Sequence, residues 1–148
     1  MPIKDQIQSD MKDAMRGGER ARLGCIRLIM AAIKQREIDE RITLDDVQAL
    51  TVLEKMAKQR RESIEQFAKA GRDDLRAIEE AELEWIQGYL PQPLNEEALE
   101  ALITGAIEER GASSMRDMGS VMSLIKTQAQ GRADMADVSR RVKARLGT

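Results

Sequence analysis

The sequence of 148 residues is 42% hydrophobic and 34% charged, with a formal net charge of −2. It contains no histidine and one cysteine, Cys25, so a histidine-based triad, an intramolecular disulfide and a thiolate metal site are excluded. Aromatic residues are only Phe67, Trp85 and Tyr89, so we expect a core of aliphatic side chains and methionine, which is typical of packed helices. We expect no cofactor and no metal, and we interpret Cys25 as a buried thiol, with a reactive thiol as the alternative.

Apolar residues recur at helical spacing along the chain, and no stretch alternates as a half-buried strand would. The first predicted helix ends at Gly17-Gly18. A long second helix follows, and Leu28 and Ala32 widen its apolar stripe, so we expect it to be covered on more than one side. The inward residues predicted for these two helices are Ile3, Ile7, Met11, Ala14 or Met15, and then Leu23, Ile26, Met30 and Ile33.

The third predicted helix has a clear start signal. We expect Thr43 to be its N-cap and Asp46 to complete a capping box, with Ile42 and Val47 forming a hydrophobic staple. A fourth helix follows after Gly71. The inward residues predicted for these helices are Leu50, Leu53, Met56, Ala57, Ile64 and Phe67, and then Leu75, Ile78, Ile86 and Leu90.

Pro91 and Pro93 stand close together after the fourth helix, and two such prolines prevent helix continuation. Three shorter helices are predicted beyond them. Their expected caps are Asn95, Ser114 and Asp134. The sequence therefore predicts an all-α protein with a four-helix N-terminal domain, residues 1–91, and a three-helix C-terminal domain, residues 94–148.

Basic residues concentrate near the C terminus. Residues 115–148 hold seven basic and three acidic side chains, a net of +4, whereas the first 114 residues sum to −6. On the last helix the cations fall outside the apolar arc of Val138, Val142 and Leu146, so we expect them to be exposed and able to neutralise phosphates. The candidate nucleic-acid-binding residues are Lys126, Arg132, Arg140, Arg141, Lys143 and Arg145. The alternative is a solvated face whose cations suit a helix C terminus.

A second basic cluster lies in the middle of the third predicted helix. Its members are Lys55, Lys58, Arg60 and Arg61. Glutamates of the same helix are interleaved with them, so we expect ion pairs four residues apart along the helix surface.

No motif predicts a self-sufficient catalytic site. Ser113-Ser114 stands directly before a helix, so capping explains this pair better than amidase chemistry does. The glycines form no phosphate-binding loop, and no pair of carboxylates is singled out for acid–base work. We therefore predict no catalytic residue and leave enzymatic activity uncertain.

The expected location follows from two further patterns. The first ten residues lack the basic and then apolar layout of a signal peptide. The longest fully apolar run, residues 28–33, is too short to span a bilayer. We therefore expect a cytoplasmic protein with no membrane partner.

Several strings, in this order along nearly the whole chain, together resemble the YqeY family. They are AAIKQREID (31–39), KQRRESIEQF (58–67), AGRDDL (70–75), YLPQPL (89–94), RDMGSVM (116–122) and GRADMADVSRRVKARL (131–146). The resemblance implies a four-helix part followed by a three-helix part. The second part is similar to the tail domain of the B subunit of aspartyl/glutamyl-tRNA amidotransferase, GatB.

In that amidotransferase, the resemblance implies, the tail engages tRNA while other domains perform phosphorylation and amide transfer. The family is accordingly grouped with carbon–nitrogen ligases that use glutamine as amido donor. This chain resembles the tail alone, so our first hypothesis is an accessory protein that binds tRNA or other structured RNA. The second is a helical adaptor that binds an amidotransferase or translation protein through its acidic N-terminal half. The third is a free-standing amidotransferase.

Overall fold

The computed structural model describes residues 2–129 and 131–147. These residues form seven α-helices and one 3-10 turn and contain no strand, so the all-α prediction is confirmed. The helices are α1 (Ile3–Arg16), α2 (Arg20–Glu40), α3 (Asp46–Lys69), α4 (Asp73–Gln87), α5 (Glu96–Glu109), α6 (Met118–Ala129) and α7 (Met135–Leu146), with the 3-10 turn at Met115–Asp117. None of the described helices has the length of apolar sequence that crossing a bilayer requires.

The chain divides into two compact units, one ending at Leu90 and the other beginning at Pro91. In the N-terminal unit, α1 and α2 form a helical hairpin and α3 packs along α4. Its core is aliphatic, as the composition predicts. The buried apolar residues are Ile7, Ala14, Cys25, Ile26, Ile29, Ile33, Leu44, Ala49, Leu53, Met56, Ala57 and Ile86.

Among the described residues of the N-terminal unit, three hydrogen-bonded side-chain pairs connect segments that are distant in the sequence. The Tyr89 hydroxyl donates to Asp10 at 2.6 Å, and the ammonium of Lys4 donates to Glu37 at 2.6 Å. Arg60 of α3 donates through Nε to Glu82 of α4 at 2.7 Å. The expected pairing of Arg60 along its own helix is therefore wrong, because this half-buried guanidinium lies at the α3–α4 contact.

The predicted start of α3 is also wrong. Its N-cap is Asp45, whose carboxylate accepts the backbone N–H of Gln48 at 2.8 Å, while the Gln48 side chain accepts the N–H of Asp45 at 3.0 Å. Ile42 and Val47 are 38% and 55% exposed, so they form no buried staple. The capping box has shifted by two residues because a carboxylate at position 45 has a glutamine three residues on.

Some side chains predicted to face the core are exposed. Met15 is 53% exposed, Leu28 is 50% exposed and Ile78 is 56% exposed. Ile29, which the predicted stripe omits, is fully buried instead of Leu28. The buried face of α2 is thus centred on Cys25, Ile29 and Ile33, and Leu28 lies outside it, about 100° around the helix from Ile29.

Cys25 is buried, as predicted. Burial, together with the nearby Glu82 carboxylate, raises the pKa of its thiol to about 11. A thiol held in its protonated form is a poor nucleophile. The geometry therefore supports the interpretation of Cys25 as a packing residue.

In the C-terminal unit, each of the three helices packs on a common apolar core. The buried residues are Leu99, Ile103, Ala106, Val121, Ile125, Ala129, Val138, Val142 and Leu146. Asn95 caps α5 by accepting the N–H of Ala98 at 2.7 Å, and Asp134 caps α7 by accepting the N–H of Ala136 at 3.0 Å. Ser114 precedes the 3-10 turn, where Asp117 accepts its N–H at 3.2 Å. The caps predicted for this part of the chain are confirmed.

Candidate nucleic-acid interface

Arg141 is directed along the side of α7 that meets α5. Its Nε donates to Asp137 at 2.9 Å and its Nη2 donates to Glu96 at 3.0 Å, while Nη1 donates to Glu100. The side chain is only 25% exposed. The expectation that Arg141 is part of an exposed basic face is therefore wrong, since three carboxylates of its own unit already surround it.

Arg145 lies one turn beyond Arg141 on the same side of α7. Its guanidinium pairs with Glu100 and donates to the Thr104 hydroxyl at 2.6 Å. Hydrogen bonds, first from Arg141 and then from Arg145, hold the pKa of the Glu100 carboxyl below its usual value. Glu100 therefore stays ionised and neutralises part of the charge of both arginines.

Arg140 and Lys143 lie on the opposite side of α7. Taking about 100° per residue, they are at least 60° from the buried arc of Val138, Val142 and Leu146. Both are exposed, and the Arg140 side chain, at 74% exposure, is paired only with Asp137 at 3.3 Å. Within residues 2–129 and 131–147, Lys143 has no ion-pair partner. The Arg145 side chain is also 35% exposed but is bound to Glu100, so Arg140 and Lys143 are the exposed cations of α7 that lie outside the contacts with α5.

Lys126 and Arg132 come from α6 and from the loop before α7. Lys126 is exposed in the last turn of α6 and, among the residues described, forms no ion pair. Arg132 is exposed, and its Nε donates to the carbonyl of Gln92 at 3.1 Å. The exposed candidates are thus spread over α6, the loop and α7. None of them is bonded to more than one carboxylate of the described residues, whereas Arg141 is bonded to three.

The net charge of the C-terminal part differs between the whole folded unit and its last 34 residues. Residues 91–148 hold eight basic and eight acidic side chains, because α5 and its flanks contribute five glutamates. The net charge of +4 in residues 115–148 is therefore offset within the folded unit. What remains is a separation of charge, with acidic residues on α5 and exposed cations on the outer side of α7.

Glu96 and Glu100 are the residues that the sequence analysis missed. They are four residues apart and so share one face of α5. Arg141 and Arg145 have the same spacing on α7, and two such matched pairs are a signal for helix-to-helix pairing. Among the described residues no group of three acidic or thiol side chains is arranged to hold a metal ion.

Comparison with known proteins gives one family and several relatives. The model of the family described as Yqey-like protein matches residues 4–146. The protein called "Altered inheritance of mitochondria protein 41, mitochondrial" in Pyrenophora tritici-repentis is 31% identical over 150 residues, which covers 98% of this chain and 81% of the relative. The protein of that name in Eremothecium gossypii is 40% identical over 85 residues, covering 57% of this chain and 46% of the relative.

A third relative of the same name, from Vanderwaltozyma polyspora, is 31% identical over 122 residues and covers 77% of this chain and 65% of the relative. The match thus spans less than two thirds of the second and third relatives. All three names describe mitochondrial proteins. The prediction of a cytoplasmic location is contradicted by this finding.

Proposed function

We propose that this chain, which belongs to the YqeY family, is an accessory RNA-binding protein whose C-terminal part contacts structured RNA such as tRNA. The proposal treats residues 94–148 as a domain distinct from the four-helix domain of residues 1–91. The exposed cations of α6, α7 and the loop between them carry it. Those residues are Lys126, Arg132, Arg140 and Lys143.

The choice of RNA is supported by resemblance and by composition. The strings at residues 116–122 and 131–146 resemble the YqeY family, and that resemblance implies that this part of the chain is similar to the tRNA-engaging tail of the amidotransferase B subunit. Residues 91–148 contain no aromatic side chain, so base stacking cannot provide affinity in this part of the chain. Contacts to the phosphates and to the shape of a folded RNA need no aromatic residue. We therefore propose recognition of a folded RNA surface and not of unpaired bases.

We assign two roles to the four candidate residues of α7. Arg140 and Lys143 would contact phosphates, because they face solvent and have few internal partners. Arg141 and Arg145 would hold α7 on α5, because carboxylates of the same unit already bind them. An RNA phosphate could reach this second pair only in competition with Glu96 and Glu100.

The test is a titration of labelled tRNA with the full chain over a range of salt concentrations. Each phosphate contact should add roughly 0.7–0.9 to the slope of log affinity against log salt. The variant Arg140→Glu/Lys143→Glu should bind more weakly and lose about two such increments. The matched control, Lys58→Glu/Arg61→Glu on α3, makes the same change of charge on exposed residues of the N-terminal unit. Affinity that does not depend on salt, or equal loss in both variants, would contradict the proposal.

A further inference from the structure

The outer face of α2 carries an apolar stripe that the core does not use. Leu28 and Ile38 are 50% and 59% exposed. Taking 100° per residue, they lie about 100° and 180° around the helix from buried Ile29. The residues along this stripe follow one another at intervals of four, three, four and three. They are Gly24, Leu28, Ala31, Gln35 and Ile38, and all five are exposed. This is the spacing by which one helix presents a seam to another.

A row of cations runs along one edge of the stripe. Arg20, Arg27 and Lys34 are seven residues apart and all exposed, and Arg41 continues the row at the C-cap of α2. Seven residues of helix correspond to about 10.5 Å, so the cations recur at that interval. Within the described ranges none of the four forms an ion pair.

Other cations of the same helix are paired. On other faces of α2, Arg22 pairs with Glu19 at 3.0 Å and Arg36 pairs with Glu40. Four exposed cations, of which Lys34 lies near the Glu37 carboxylate, flank exposed leucine and isoleucine side chains, so the surface is amphipathic and mainly basic. Such a surface complements a helix that has apolar residues at the same sequence spacing and carboxylates along one edge.

From this juxtaposition we propose that the outer face of α2 is a docking site for an acidic amphipathic helix of a partner protein. Ala31 at the centre of the stripe and Gly24 at its N-terminal end have little or no side chain, so the backbone of a second helix can approach closely there. Ala31 and Lys34 also line a groove of about 600 Å³ between α1 and α2, whose lining includes Lys4 together with the carboxylates of Asp5 and Glu37. This proposal does not depend on RNA binding. It predicts an acidic partner, whereas the adaptor hypothesis based on the acidic N-terminal half predicts a basic one.

Two other occupants fit the surface less well. A nucleic acid would use the cations but would leave Leu28 and Ile38 exposed. Pairing of α2 with α2 of a second copy does not neutralise the row, because in an antiparallel pair the row faces itself. In a parallel pair it faces an edge whose one carboxylate, Asp39, already accepts a hydrogen bond from Gln35 at 2.8 Å.

The probes for the test are two designed peptides of about four heptads, with leucine and alanine in the apolar seam. One carries glutamate at every position flanking the seam and the other carries lysine there. Like charges on both flanks keep each peptide from pairing with itself. Binding of each peptide to the full chain is measured by fluorescence anisotropy, and the amide chemical shifts of α2 locate the bound peptide.

We expect the glutamate peptide to bind at least tenfold more tightly than the lysine peptide. The variant Arg27→Glu/Lys34→Glu should reverse that preference, and Leu28→Gln/Ile38→Gln should weaken binding of the glutamate peptide at least tenfold. All four positions are exposed, so circular dichroism should show an unchanged fold. The control Lys58→Glu/Arg61→Glu on α3 should leave the preference as it is.

Three results would overturn the proposal. The first is equal binding, or no binding, of the two peptides. The second is self-association of the chain that Leu28→Gln/Ile38→Gln abolishes, which would make a second copy the occupant. The third is displacement of the peptide by tRNA that loses affinity in Arg27→Glu/Lys34→Glu, which would assign the face to nucleic acid. The RNA proposal for the C-terminal part is tested separately, because its variants change α7.

Discussion

Arg141 on α7 and Glu100 on α5 form a hydrogen-bonded ion pair between residues 41 positions apart in the sequence. The pair uses the surface where the two helices meet, and Arg145 binds the same carboxylate. The basic sequence of α7 is therefore divided by its fold. One side holds the unit together and the other side remains available to a ligand.

This division predicts different costs for two neighbouring arginines. We expect Arg141→Ala to lower the urea midpoint of the full chain more than Arg140→Ala does. Arg141 is 25% exposed and bonded to three carboxylates, whereas Arg140 is 74% exposed and bonded to one. Circular dichroism measures both midpoints, and equal losses would show that the α5 contacts contribute nothing.

The Asp117 carboxylate predicts a dependence of stability on acid. Hydrogen bonds from the backbone N–H groups of Ser113 and Ser114 hold the pKa of Asp117 below its usual value. A carboxylate of this kind stabilises the fold above the unfolded-state pKa of about 3.9, and this stability is lost as the pH falls through the lower folded-state pKa. Asp117→Asn should therefore have a lower melting temperature near neutral pH and a flatter decline in acid. Parallel acid limbs for the two proteins would contradict this assignment.

Tyr89 predicts a shift at alkaline pH. Burial and the hydrogen bond to Asp10 raise the pKa of its hydroxyl well above the usual value. Because it is the one tyrosine in the sequence, ultraviolet titration reads it alone, and ionisation should begin well above pH 10. The unfolded-state pKa of tyrosine is about 10. The stabilisation of the fold by this hydrogen bond is complete below that value and is lost as the pH rises through the higher folded-state pKa.

The same hydrogen bond predicts the effect of removing the hydroxyl. Tyr89→Phe should lower the free energy of unfolding by about 1 kcal/mol, because the half-buried Asp10 loses a donor. The fluorescence of Trp85, the single tryptophan and a residue of the same unit, measures the transition. An unchanged midpoint would mean that water replaces the hydroxyl without cost.

Two glycines predict opposite results for the same substitution. Gly24 is exposed inside α2, and nothing lies within 4 Å of an added Cβ, so Gly24→Ala should stabilise the fold by about 0.5–1 kcal/mol. Gly71 has a φ of +69°, a conformation that costs an alanine about 1 kcal/mol, so Gly71→Ala should destabilise it. Urea unfolding of both variants measures the two signs, and a loss of stability in Gly24→Ala would contradict the open geometry.

The sequence predicts those features of the fold that depend on local signals. Asn95 and Asp134 are correctly identified as caps because each stands alone before a periodic apolar run. The start of α3 is misplaced because Thr43 and Asp45 are both good caps, and only the partner at Gln48 decides between them.

The candidate site is predicted less completely. Helical geometry places Arg140, Arg141, Lys143 and Arg145 outside the buried arc, but it does not say which neighbouring helix borders that arc. Lys143 is as far from the arc as Arg141 is, about 60°, but it lies beyond the opposite edge. Arg141 and Arg145 lie on the edge that faces Glu96 and Glu100. Their role therefore depends on tertiary contacts with Glu96 and Glu100 that no pattern within α7 contains.

The hydrogen bond from Arg132 to the carbonyl of Gln92 changes what this side chain can contribute to a complex. It uses Nε alone, so the terminal nitrogens of the planar guanidinium remain available as donors in a fixed direction. A long side chain normally loses rotational freedom when it binds a phosphate, and that loss weakens affinity. In Arg132 much of this entropy is already lost in the folded protein. Arg132 is therefore preorganised, whereas Lys126 and Lys143 would have to be immobilised by the ligand itself.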